Sequence, residues 1–155
     1  MMDKKRDLSL LYRYQEARRR LAACVDELAA WEGRRVLADL ENQVLTAREE
    51  VEQIQNECTR LKMENRRLEG ECRDYEAQLR DLETTLYSGK ISAPKELEQL
   101  QRRNAEYQTA KAAREETILN QLYLLETKEQ ELAQAQKQVE ALQTKLTAAA
   151  EEVAQ

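Results

Sequence analysis

Histidine and phenylalanine are absent from this chain, which has one proline, one tryptophan, three glycines and three cysteines in 155 residues. Without histidine there is no imidazole for a general base, for a Ser–His or Cys–His nucleophile pair, or for a mixed Cys/His zinc set. The cysteines Cys24, Cys58 and Cys72 form no CxxC pair. On one straight helix Cys58 and Cys72 stand about 21 Å apart, too far to share a metal or a disulfide. All three are expected as small apolar residues in a helix seam. So few turn formers exclude a sheet, and aromatics at 5% cannot fill a thick core. No run approaches the ~20 apolar residues of a membrane span. The start, MMDKKRDLSLLYRYQEARRR, has neither the apolar run nor the cleavage site of a secretory signal, so a cytoplasmic location is expected.

What the chain does have is Ala, Leu, Glu, Lys and Arg, which make up more than half of it, the composition of a coiled coil. The charges, 25 basic and 30 acidic, are intermixed and sum to −5. The basic spots Arg18-Arg19-Arg20, Arg34-Arg35, Arg66-Arg67 and Arg102-Arg103 each have Asp or Glu within a turn or two. They read as solvated helix faces and not as a platform for nucleic acid.

An uninterrupted 3-4 count runs through Leu37, Leu40, Val44, Ala47, Val51, Ile54, Cys58, Leu61, Asn65, Leu68, Cys72, Tyr75, Leu79, Leu82 and Leu86, with Asn65 its one polar member. Strict heptads of this kind predict a left-handed supercoil. A second count runs from Leu97 through Leu100, Asn104, Tyr107, Lys111, Arg114, Ile118, Gln121, Leu125, Lys128, Leu132, Ala135, Val139, Leu142, Leu146 and Ala149 to Val153. Its middle is polar, so looser or locally shifted packing is expected there, with Ala110 and Leu122 taking over. The N-terminal segment keeps its own count, Leu10, Tyr14, Ala17, Leu21, Cys24, Leu28 and Trp31, whose phase slips by two residues beside Gly33. A kink or a short break is expected near Gly33, unless the slip is absorbed smoothly.

Between the two long counts lies Tyr87-Ser88-Gly89-Lys90-Ile91-Ser92-Ala93-Pro94-Lys95-Glu96-Leu97. Gly89 suits a left-handed residue just past a helix end, Pro94 suits the first turn of the next helix, and Glu96 complements its positive end. Short connections join antiparallel neighbours. The expected fold is all-α, one long antiparallel coiled-coil hairpin over residues 1–155. It comprises an N-terminal segment 1–32, a first arm 34–87, a tip turn 88–93 and a second arm 94–155. With the turn centred near residues 89–90, Leu82 would meet Leu97, Tyr75 Asn104, Cys72 Tyr107, Asn65 Arg114 and Cys58 Gln121, while Val153 would lie opposite Asp26. Residues 1–25 would then overhang their partner helix with an apolar stripe exposed. Fraying or self-association through residues 1–30 is expected.

The run Leu86-Tyr87-Ser88-Gly89-Lys90-Ile91-Ser92-Ala93-Pro94-Lys95-Glu96-Leu97-Glu98-Gln99-Leu100-Gln101 resembles the hairpin tip of the bacterial C4-type zinc-ribbon family, LYSGK-[IV]-x-N-P-K-E-L. About fifteen residues carry the specific likeness, and compatible periodicity covers the rest. Two features depart from the pattern. Ala93 stands where the family has the Asn that would cap the helix, leaving Ser92 or Ser88 to substitute. The ribbon's two CxxC pairs are also missing, which reads as a truncation, a gene fragment or a ribbon-less variant. The resemblance implies non-enzymatic work with protein partners, in some members the regulation of flagellar or secretion systems. Its nucleic-acid role rests mainly on the ribbon, and zinc is expected only there, so no cofactor is expected in this chain.

Three functional readings compete. An adaptor would present the tip, with Tyr87, Ser88, Gly89, Lys90 and Lys95 as partner-binding residues. A nucleic-acid binder would use the Arg doublets. A purely structural coiled coil would oligomerise. The alternative roles at the tip are structural: Gly89 for the turn, Ser88, Ser92, Pro94 and Glu96 for helix ends, and Tyr87 packed under the loop. No cluster of acid, base and nucleophile is seen to converge, so no enzyme is expected.

Overall fold

The computed structural model describes residues 2–155, without the side chain of Met2, so Met1 of the N-terminal segment lies outside the described residues. Helix α1 spans Met2–Tyr87 and helix α2 spans Pro94–Ala154. The fold is all-α, a hairpin of two long helices packed against each other, with no strand among the described residues. Both helix ends at the tip fall where the turn chemistry puts them. α1 runs through Gly33 as unbroken helix, so the break expected there does not occur. One Gly costs only ~1 kcal/mol against Ala, less than opening a turn of hydrogen bonds inside an 86-residue helix.

The chain divides into two compact units, Glu50–Ala135 and the remainder, Met1–Glu49 with Gln136–Gln155. In the first of these, every expected seam position of α1 is buried or half-buried, from Val51 to Leu86. Cys58, Leu61 and Leu125 form a core cluster with Ile54 packed on it. Among the described residues no side chain is completely enclosed, because two helices cover each other on one side only.

The polar middle of α2 stays in register instead of shifting. Lys111, Arg114, Gln121 and Lys128 are half-buried in the seam with Ala110 half-buried beside them, whereas Leu122 remains about half exposed. The charges keep their places because α1 supplies carboxylates beside them. Lys111 reaches Glu76 at 3.3 Å, Arg114 reaches Glu71 at 3.2 Å, and Lys128 reaches Glu57 at 3.0 Å. The long stems of these side chains cover the seam while their heads meet the acids at its edge.

These contacts overturn the expected alignment. Tyr75 packs on Tyr107, with ring centroids 5.7 Å apart, and not on Asn104. The Cys72 thiol points at the carbonyl of Lys111 at 3.9 Å. Arg114 lies over the Tyr75 ring at 5.4 Å, far from the Asn65 layer. Counting from these pairs and from Leu61 beside Leu125, Asn65 shares its layer with Gln121 and Leu82 with Asn104. The helices are displaced by seven residues from the expected alignment. A shift of one heptad leaves every apolar position in the seam, so the hydrophobic pattern alone does not oppose it. The tip accommodates the shift: residues 88–93 leave the helix, and half-buried Ile91 lines a groove with Thr85, Gln99 and Leu100. The loop thus packs on the first turns of α2, where the expected alignment puts Leu82 of α1.

In the other unit, Val44 and Ala47 are buried, and Arg48 donates to the Gln143 side chain at 2.9 Å. Val153 sits over Gly33, its Cγ2 3.4 Å from where a Cβ would be, and not opposite Asp26. The overhang is therefore longer than expected. Leu10, Tyr14, Leu21, Leu28 and Trp31 are all more than half exposed. Cys24 is exposed as well, so of the three cysteines expected in the seam only Cys58 and Cys72 are buried.

Candidate partner-binding tip

The turn begins with the Ser88 hydroxyl, which donates to the Thr85 carbonyl at 2.7 Å, one of the acceptors that the end of α1 leaves free. The Ser88 backbone N–H donates to the same carbonyl at 3.4 Å, and the Lys90 N–H donates back to the Ser88 oxygen at 3.5 Å. Gly89 follows with φ +69°, the left-handed conformation that reverses the chain after a helix. An added Cβ there would meet no atom within 4 Å, so backbone conformation alone requires the glycine. α2 opens with the Ala93 carbonyl accepting from the Leu97 N–H at 3.1 Å. Ala93 is thus the cap residue, Pro94 the first helical residue, and Glu96 stands in the first turn where a carboxylate is favoured. Ser88 serves the end of α1 and does not replace the missing Asn.

The residues expected to bind a partner lie on this turn or within two residues of it. Tyr87, Ser88, Gly89, Lys90 and Lys95 are exposed, as are Ser92 and Pro94. Tyr87 is 83% exposed and does not pack under the loop. It is the last residue of α1, and the chain beyond it turns away at Ser88 and Gly89, leaving its ring in solvent. The arrangement is chemically simple: one aromatic ring and two ammonium groups on a pinned turn. Sequence reasoning missed the groove behind it, lined by Thr85, Ile91, Glu96, Gln99, Leu100 and Arg103. The apolar Ile91 among polar turn residues was its one signal.

Elsewhere the perturbed titratable groups, Cys72, Lys111 and Lys128, belong to the seam. Burial pushes the Cys72 thiol above its ordinary range, and Glu115 and Glu76 add to this while Lys111 and Arg114 oppose it. Cys72 is therefore a protonated seam residue and a poor nucleophile. Among the described residues no His, Cys, Asp and Glu group gathers in a way that could hold a metal ion, and no helix is long and apolar enough to cross a membrane. Comparison of the chain with protein-family models, with characterised proteins and with solved structures gives no match in any of the three.

Proposed function

We propose that this chain is a non-enzymatic adaptor whose hairpin presents the Tyr87–Leu97 tip to a protein partner. The observation that carries this reading is the exposure of Tyr87 at a turn whose backbone is pinned by Ser88 and Gly89. An exposed tyrosine offers large contact area at small entropic cost, and Tyr is enriched among residues that dominate protein–protein binding energy. Lys90 and Lys95 flank it, which favours an acidic recognition surface on the partner. The resemblance of the tip to the C4-type zinc-ribbon family supports protein partners in flagellar or secretion-system regulation.

The test compares proteins retained from lysate by the wild-type chain and by a Tyr87→Ala/Lys90→Ala/Lys95→Ala variant of equal helicity and melting temperature. Loss of the same bound species from the variant supports the tip as the site; identical retention removes it. A parallel passage over heparin at about 150 mM salt tests the nucleic-acid reading, since only several basic contacts survive that screening. Retention there would replace the adaptor reading.

A further inference from the structure

The stripe Leu10, Tyr14, Ala17, Leu21, Cys24, Leu28 and Trp31 is exposed along its whole length, and α2 does not cover it. Extending the α2-covered seam from Gly33 towards the N-terminus meets Ala30, Asp26, Ala23, Arg19, Glu16, Tyr12 and Ser9, a largely polar line. The two-residue slip at Gly33 turns the stripe by roughly 200° around α1, at ~100° per residue. It therefore faces away from the side on which Val153 sits. A helix laid on the stripe would not collide with α2. A shallow groove already follows it, lined by Cys24, Glu27, Leu28, Trp31 and Arg34.

We infer that this stripe is the interface of an antiparallel homodimer, in which residues 13–32 of two copies pack about a two-fold axis between residues 22 and 23. With the axis there, the stripe pairs apolar with apolar from Tyr14 to Trp31, and Leu10 falls opposite Arg35 beyond it. Tyr14 meets Trp31 of the second copy, Ala17 meets Leu28, and Leu21 meets Cys24; two-fold symmetry repeats each layer, and no polar residue enters the seam. A heptad shift in one direction keeps Leu10 on Leu28, Tyr14 on Cys24 and Ala17 on Leu21 but brings Asp7 against Trp31 and Arg20 against Arg20; in the other direction it discards the Tyr14 and Ala17 layers.

The charges select the second copy as occupant and antiparallel as its direction. Within the hairpin, residues just after a seam position pair across the helices, as Lys62 does with Glu129 at 3.5 Å. Those just before one also meet, as Glu57 and Glu131 do around Lys128 at 3.0 and 3.3 Å. The same geometry in the dimer sets Arg18 against Glu32 and Arg20 against Glu27, each twice by symmetry, with Arg13 against Arg34 as the one like-charged pair at the ends. A parallel pair would instead set Arg13 against Arg18 and Glu27 against Glu32, like charges at both ends. The basic first half and acidic second half of the segment thus fit a reversed copy of themselves. This interface is independent of the tip and brings two hairpins, each with its own turn, into one particle.

Sedimentation of the full chain at micromolar concentration tests the interface, with a species of twice the 18.1 kDa chain mass expected. Arg18→Glu/Arg20→Glu makes the flanks uniformly acidic, and Glu27→Arg/Glu32→Arg makes them uniformly basic. Each should weaken self-association at least about tenfold with helicity retained, and an equimolar mixture of the two should restore the dimer. For direction, Leu21→Cys should oxidise to a covalent dimer faster than wild type, because position 21 faces Cys24 of the second copy. A monomeric wild type with unprotected amides across Leu8–Trp31 overturns the proposal and leaves the stripe to a different partner. Charge variants that dimerise like wild type overturn the alignment. Equal oxidation of wild type through Cys24 overturns the direction.

Discussion

Arg114 of α2 donates its Nε–H to the Glu71 carboxylate of α1 across 3.2 Å, from a seam position where an apolar residue is the rule. The same guanidinium stacks on Tyr75 at 5.4 Å, and Glu71 also accepts from Arg67 at 2.7 Å. Both partners are about one third exposed, so solvent screens the pair and its net worth is modest. Arg114→Ala should destabilise the chain by about 1–2 kcal/mol, from the ion pair, the cation–π contact and the lost stem packing. A double-mutant cycle with Glu71→Ala should assign only about 0.5–1 kcal/mol of this to the pair itself. Denaturant unfolding of the four chains measures it.

The one fully polar layer of the seam joins Asn65 to Gln121. Asn65 is 4% exposed, and both of its amide atoms, together with the Gln121 oxygen, lack a protein partner. A buried unpaired polar group costs about 1–3 kcal/mol. Asn65→Leu/Gln121→Leu should therefore raise the melting temperature by several degrees, at ~2–4 °C per kcal/mol for a chain of this size. It should also weaken the preference for one alignment, because a polar layer penalises every shift that splits it. Thermal unfolding checks the first effect and cross-linking of paired cysteines the second.

Lys111 and Lys128 make folding sensitive to alkali. Hydrogen bonding to Glu76 raises the Lys111 pKa above its ordinary 10.5, against a smaller opposing effect of burial. Lys128 is raised by Glu57 first and by Glu131 second. A raised lysine pKa contributes stability that is complete below the unfolded value and is lost as pH climbs through the folded one. The Cys72 thiol, also raised, from 9.0, acts in the same direction. The melting temperature should hold through neutral pH and fall from about pH 9 upward, first through Cys72 and then through the two lysines. In Lys111→Met/Lys128→Met that fall should be shallower, leaving the part due to Cys72. Equal slopes would refute the assignment.

At the tip, two substitutions should move stability in opposite directions. Gly89→Ala forces a side chain into φ +69° and should cost about 1–2 kcal/mol by backbone strain alone, since the space around it is open. Ala93→Asn supplies the missing cap and, with Glu96 three residues on, should gain about 0.5–2 kcal/mol. Melting of each variant gives the sign directly.

The sequence by itself determined which residues enter the seam, where each helix ends at the tip, and the left-handed glycine between them. Heptad spacing and turn chemistry act within a few residues and do not depend on what lies across the seam. It did not determine the alignment of the two helices, because shifting one by a heptad returns apolar residues to apolar positions. Tertiary structure chose by smaller terms: Glu57, Glu71 and Glu76 beside the seam cations, Tyr75 on Tyr107, and Ile91 folded onto the start of α2. The same dependence on neighbours explains the other misreadings. Tyr87 stands in solvent, Cys24 lies beyond the end of α2, and the helix carries on unbroken through Gly33. Local pattern specifies a helix and its sticky face; only the packed chain decides what that face meets.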